Sequence, residues 1–167
     1  MADPVIVRRL RAEEAALFKT LRLRALADAP AAFAHSHDEV SAEPDAYWAE
    51  MTRSVTEPGR HAMFVAEDEE AVGMSFGLVD RERSSRAHLG GMWVAPTARH
   101  RGVGRALGDA VLAWARERGF ADVVLWVTEG NADAVALYER MGFACTGRRD
   151  RLPSSSGLAI YEMGLAL

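Results

Sequence analysis

Apolar positions along this chain follow two rhythms, a period of two and a period near 3.6. Apolar or β-branched runs at 4–10, 61–67 and 72–80 predict strands, and DEEA (68–71) folds the last two into a hairpin. After the polar turn RERSSR (81–86), the run AHLGGMWVAP (87–96) predicts a third neighbour. Its Gly90-Gly91 pair predicts a bulge or the close approach of a ligand. Further runs at 122–128, 143–152 and 158–167 predict three more strands, the last two around PSSSG. Helical spacing predicts a helix over 12–28, with Leu17, Phe18, Leu21 and Ala25 on one face. Glu13 and Glu14 are expected in its first turn, and Pro30 ends it. Residues 31–54 read as loop with one or two short helices. Leu107, Val111 and Trp114 predict a helix over 104–119 that ends at Gly119. A last helix, 131–142, starts on Asn131 as its cap, carries Asp133 in its first turn and stops at Gly142.

The order is β-α-(α)-β-β-β-α-β-α-β-β. Antiparallel strands come first and a βαβ crossover sits in the middle, so the fold class is α+β: a mixed sheet with helices packed on it. No repeat, linker or low-complexity tract interrupts it. One domain over 1–167 is the expectation.

Composition narrows the function. Lys and Arg total 20 against 24 Asp and Glu, a formal net charge of −4. That argues against a general nucleic-acid binder. One cysteine, Cys145, rules out an intrachain disulfide framework and a Cys-based zinc site, and it reads as a quiet structural thiol. His35 and His37 have a metal-ligand spacing, but no Cys partner is at hand; they are read as loop residues and no metal is expected. Apolar runs are strand-sized and the N-terminal stretch has no signal-peptide core. A soluble cytoplasmic protein without membrane contact is expected.

The stretch RHRGVGRAL (99–107) carries the chemistry. A glycine-rich strand-to-helix turn aims free backbone N–H groups at one point, and the helix dipole adds positive charge there. Arg99, Arg101 and Arg105 add full charges, while Gly102 and Gly104 let an anion approach the backbone. The pattern reads as a pyrophosphate cradle or, on this stretch alone, a tight turn with solvated charge. It is not a P-loop, since no Gly-Lys exists in the chain. It is not a dinucleotide fingerprint either, because the third glycine, Gly108, comes one residue too late.

The longer string VAPTARHRGVGRAL (94–107) resembles the acetyl-CoA motif of the GNAT superfamily of N-acetyltransferases. That motif runs Arg or Gln, two residues, Gly, one residue, Gly or Ala. Arg99 to Gly104 fits every fixed position. A second stretch, LWVTEGNADAVALYERMGF (125–143), is similar to the family's following strand and helix at Leu125, Val127, Asn131, Ala134, Leu137, Tyr138, Gly142 and Phe143. The resemblance implies a GNAT-type, mostly antiparallel seven-stranded sheet and acetyl-CoA as cosubstrate. It implies that Arg99, His100, Arg101, Gly102, Val103, Gly104 and Arg105 form the pyrophosphate site. Main-chain groups of Met92 and Val94 would pair with the pantetheine arm, and Asn131 would touch it. Strands 88–95 and 122–128 would splay, with the thioester in the gap.

The implied reaction moves an acetyl group from acetyl-CoA to a primary amine of a small molecule or peptide, by direct attack in a ternary complex. Tyr138 is the candidate general acid for the leaving thiolate. A backbone N–H of Met92 or Trp93 is the candidate oxyanion donor. For the base, His88 stands on the strand before the glycine turn; straight alternation puts it on one face with Gly90, Met92 and Val94. Glu129 is a second candidate, and water a third. Phe33, Asp38, Glu39, Tyr47 and Trp48 are candidates to line the acceptor pocket beside Glu129, with RERSSR and PSSSG as further walls. The alternative is a non-catalytic acyl-CoA-binding regulatory module of the same fold. Dimers are common in the family, and the closing strands could pair to form one; the sequence leaves that open.

Overall fold

The computed structural model describes residues 4–153 and 157–167. Strands that are apolar throughout bury both faces. β2 (His61–Glu67), β3 (Ala71–Val79) and β5 (Asp122–Thr128) are of this kind. They form the middle of a seven-stranded sheet with β1 (Ile6–Arg9), β4 (Arg86–Val94), β6 (Ala144–Arg151) and β7 (Ala159–Ala166). The order is β1-β2-β3-β4-β5-β7-β6. Only β4 and β5 pair in parallel; every other neighbouring pair is antiparallel.

One face carries α1 (Ala15–Asp28), α2 (His37–Ser41) and α3 (Asp45–Thr56). There Phe18 of α1 meets Phe76 of β3 edge-on, and Trp48 of α3 meets Phe18. The other face carries α4 (Val103–Glu117) and α5 (Ala132–Arg140). Leu107, Val111 and Trp114 of α4 are buried as their spacing requires, and the Ser75 hydroxyl of β3 donates to the Leu107 carbonyl. α4 and α5 lie close: a Cβ on Gly104 would come 3.1 Å from Leu137, and one on Gly108 would come 2.4 Å from Met141. Gly108 is therefore a packing residue.

α1 begins later than its sequence suggests. Glu13 and Glu14 precede the helix. Glu14 turns its carboxylate back to accept from the Arg8 guanidinium and from the Arg11 backbone N–H. That commitment holds the carboxylate below its usual range, the hydrogen bonds from Arg8 being the main cause.

The decisive irregularity is in β4. Phe76 of β3 faces Gly90, and Met74, two residues earlier, faces Trp93, three residues further. Gly91, at φ +58°, absorbs the extra residue; a Cβ there would stand 2.2 Å from the Phe76 ring. The bulge breaks the alternation assumed from sequence. His88 and Gly90 share the α1 face with Trp93, whose indole lies under Arg24 and donates to Asp28 of α1. Met92 and Val94 turn to the α4 face, where Met92 reaches the Gly108 position and Val94 the Gly104 position. The four residues expected on one face divide between two.

β4 and β5 pair only at Arg86, Ala87 and His88. β5 continues along β7 as far as Thr128. From Leu89 onward β4 has no β5 partner, so a gap opens in the middle of the sheet.

Candidate active site

The glycine turn closes the wide end of that gap. β4 leads through a 3₁₀ turn (Pro96–Ala98) into α4. Gly102, the N-cap, has φ +81° and offers no side-chain cap. The first helical N–H groups, on Val103, Gly104 and Arg105, have no preceding turn to bond to. A Cβ at Gly102 would meet nothing within 4 Å, so the space above these donors is open. His100 is the one non-glycine residue with positive φ among the described residues, at +59°. The turn is thus bent twice, at His100 and Gly102, and the N–H groups at the start of α4 are left for an anion to bond.

Three arginines surround it, each held by chain acceptors. Arg99 donates to the Val94 carbonyl at 3.0 Å and pairs with Asp28. Arg101 pairs with Asp68 at 3.2 Å. Arg105 pairs with Asp109 at 3.0 Å and reaches the Arg140 carbonyl at 3.2 Å. They are half-exposed and carry their charge to the mouth of the turn.

Along the gap, β4 presents main-chain groups. The Ala95 N–H donates across to Val72 of β3 at 2.8 Å. Main-chain direction alternates along a strand, so the groups of Val94 and Met92 face the gap and those of Trp93 face β3. Of the two candidate oxyanion donors, Met92 therefore has the better-directed N–H.

Tyr138 and His88 stand on opposite faces of the sheet, with the gap as the passage between them. Tyr138 lies on the α5 side, 7% exposed, against the Phe143 ring. Burial pushes its phenol up to about 12, which keeps the proton on at any physiological pH. The Asn131 carbonyl caps α5 by accepting from the Ala134 N–H at 3.3 Å. His88 is at the last paired position of β4, and its Nε2 lies 2.5 Å from an Asp80 carboxylate oxygen. The other Asp80 oxygen accepts from the N–H groups of Glu82 and Arg83, at 2.8 Å each. The His88 hydrogen bond, then these turn N–H groups, hold the Asp80 carboxyl down to about 2. Asp80 leaves no mark in a linear reading, because its partner His88 stands eight residues on, across the turn between β3 and β4.

The acceptor-pocket candidates do not converge. Trp48 is 2% exposed inside the core. Phe33 is buried under the Arg22 guanidinium, 4.8 Å from its ring centre. Glu39 spends its carboxylate on the Ser36 N–H, 2.8 Å away, as half of a capping box at α2. Glu129 is exposed beyond the end of β5, 3.7 Å from Arg149. With Gly130, Arg148, Tyr161 and Glu162 it lines a pocket of about 330 Å³. His37 of α2 has Asp38 at 3.5 Å. Of PSSSG, residues 154–156 lie outside the described residues. No helix among the described residues is long and apolar enough to cross a membrane.

Comparison with known proteins fits this geometry. The model of the acetyltransferase (GNAT) family matches residues 22–143. A mycothiol acetyltransferase of Salinispora tropica is 49% identical over 67 residues, covering 38% of this chain and 22% of that protein. The matched segment thus spans under a quarter of that relative's length. An acetyltransferase of the GNAT family from Streptococcus pneumoniae superposes with a TM-score of 0.84 at 16% identity, over 98% of this chain and 100% of that one. The yncA structure from Salmonella typhimurium, solved with its cofactor acetyl-CoA, gives 0.75 at 18% identity, over 99% and 95%. At these identities the structures speak for the fold.

Proposed function

Because the chain belongs to the acetyltransferase (GNAT) family, we propose that it moves the acetyl group of acetyl-CoA to a primary amine of a small molecule or peptide. The reading takes residues 1–167 as one catalytic domain. One observation carries it: the β4 strand that parts from β5 to open the gap leads into the N-terminus of α4, whose cap Gly102 bears no side chain. A long ligand with a phosphate at one end and an extended arm fits that pairing of features.

Each chain group then has a task. The N–H groups of residues 101–105 hold the pyrophosphate, with Arg99, Arg101 and Arg105 giving up part of their carboxylate contacts to it. Met92 and Val94 pair with the arm along the gap. The Met92 N–H donates to the carbonyl oxygen as negative charge develops there. Tyr138, protonated by virtue of its burial, delivers a proton to the departing thiolate through the gap. His88, steadied by Asp80, takes the proton of the attacking amine from the opposite face. This two-sided arrangement supports direct attack within a ternary complex, in which the amine meets the thioester without a covalent enzyme intermediate.

The test is incubation with acetyl-CoA and a panel of primary amines, reading thiol release and the mass of the product. Release coupled to an amine heavier by one acetyl group is the expected result. Acetyl-CoA binding without transfer to any amine would instead favour a regulatory acyl-CoA-binding module.

A further inference from the structure

Glu162 is a carboxylate in the middle of an otherwise apolar strand, and its side chain is 2% exposed. It lies opposite Trp126 of β5, and both belong to the face that bears His88 and Gly90. The helices α1 and α3 pack chiefly on β3 and β2 of this face, and the 3₁₀ turn Pro30–Ala32 reaches β5. Thr146 of β6 donates to one Glu162 oxygen at 2.8 Å. The other accepts from Arg148 at 3.0 Å. Arg148 itself is 63% exposed, and its guanidinium stands 5.5 Å over the centre of the Trp126 ring. The β6 backbone swells there: between the pairs Cys145–Met163 and Arg149–Tyr161, four residues of β6 span two of β7. Arg148 is delivered by that swelling, beside Gly147 at φ +90°.

A buried carboxylate beneath an aromatic face is a receptor for a cation. Here the cation is an arginine whose side chain is 63% exposed. The receptor's place is also telling. β4 and β5 are parallel with His88 opposite Val124, so Trp126 stands level with the Gly90–Gly91 bulge across the gap. Glu162 is one strand further. Paired strands stand about 4.8 Å apart and β4 splays from β5 here, so Glu162 lies more than about 10 Å from the bulge where the acetyl group is placed.

We propose that Glu162 and Trp126 form a subsite for a second, non-reacting cationic group of the acceptor, and that Arg148 fills this subsite until the acceptor displaces it. The acceptor is then a diamine, polyamine or other polycation, with its reacting amine at the gap and an ammonium on Glu162. The proposal rests on the acetyltransferase reading for the place of the reacting amine, but the subsite is tested by binding alone.

The experiment is calorimetric titration of the whole protein with hexamethylenediamine and with hexylamine, for wild type, Arg148→Gln and Glu162→Gln. Acetyl-CoA is titrated into each variant as well, as a check of folding and of the cofactor site. Wild type should bind the diamine about tenfold more tightly than the monoamine. Arg148→Gln, with the internal competitor gone, should bind the diamine about threefold tighter still. Glu162→Gln should abolish the preference. Equal affinity for the two amines in wild type and Arg148→Gln, including no binding of either, overturns the proposal; so does weaker diamine binding in Arg148→Gln. Should Glu162→Gln fail to fold, the exposed Arg148→Gln variant decides alone. Failure of acetyl-CoA to bind would sink the catalytic reading while leaving the amine result readable.

Discussion

In the proposed reaction Tyr138 and His88 divide the proton traffic because their surroundings differ. Burial keeps the Tyr138 proton in place up to about pH 12, so this residue is a donor and imposes no alkaline limb in the ordinary range. Tyr138→Phe should lower the transfer rate about a hundredfold and leave acetyl-CoA affinity unchanged, as single-turnover rates beside calorimetry would show. Unaltered turnover would remove Tyr138 as the acid. His88→Ala should lower the transfer rate about a hundredfold; an unaltered rate would hand the base role to water. The same pair also enters stability. The Asp80 carboxyl lies near 2 in the folded chain, below its ordinary 3.8, chiefly through the His88 hydrogen bond. A depressed carboxyl stabilises above the unfolded value and loses that contribution as pH falls through the folded one. The stability gap between wild type and His88→Ala should therefore be present at pH 5 and vanish toward pH 2, read by thermal unfolding.

At the scale of elements, the bulge in β4 organises the site. It frees the strand from β5, turns Met92 toward the gap and leaves His88 on the far face. Gly91→Ala would force a methyl to 2.2 Å from Phe76 and an alanine into a left-handed backbone. A loss of about 3 kcal/mol is expected from overpacking and strain together, measured by urea unfolding. In the glycine turn, Gly102→Ala meets no neighbour but keeps φ +81°, so it should cost only about 1 kcal/mol of stability while weakening acetyl-CoA binding. Much of this scale was legible in the sequence. The runs 61–67 and 122–128 coincide with β2 and β5, and Asn131 and Gly142 bound α5 as turn chemistry requires. The Gly90-Gly91 bulge was legible too, but not its effect on facing, because alternation counted through a bulge is wrong by one residue. α1 starts later than its spacing suggests because Glu14 serves Arg8, a bond that only the folded turn between β1 and α1 makes. Trp48 and Phe33 looked like pocket residues since aromatic character alone does not separate core from cleft.

For the whole molecule, the mixed sheet explains why acidic and basic chemistry meet in a chain of net charge −4. The arginines gather at the N-terminus of α4, where the helix dipole already favours an anion. The carboxylates Asp80 and Glu162 stand on the opposite face, where a cationic amine would arrive. Glu162 had a signal in the sequence, a lone charge within the apolar run LAIYEMGLAL, but its Trp126 and Arg148 partners emerge only from strand register. The measurement that tests the central claim most directly is calorimetric titration of the purified chain with acetyl-CoA, with ATP and NADH as controls. Micromolar binding of acetyl-CoA, weakened in the Gly102→Ala variant and not matched by either control, is the expected result. No binding, or equal binding of all three nucleotides, would contradict the reading of the glycine turn and the gap as an acetyl-CoA site.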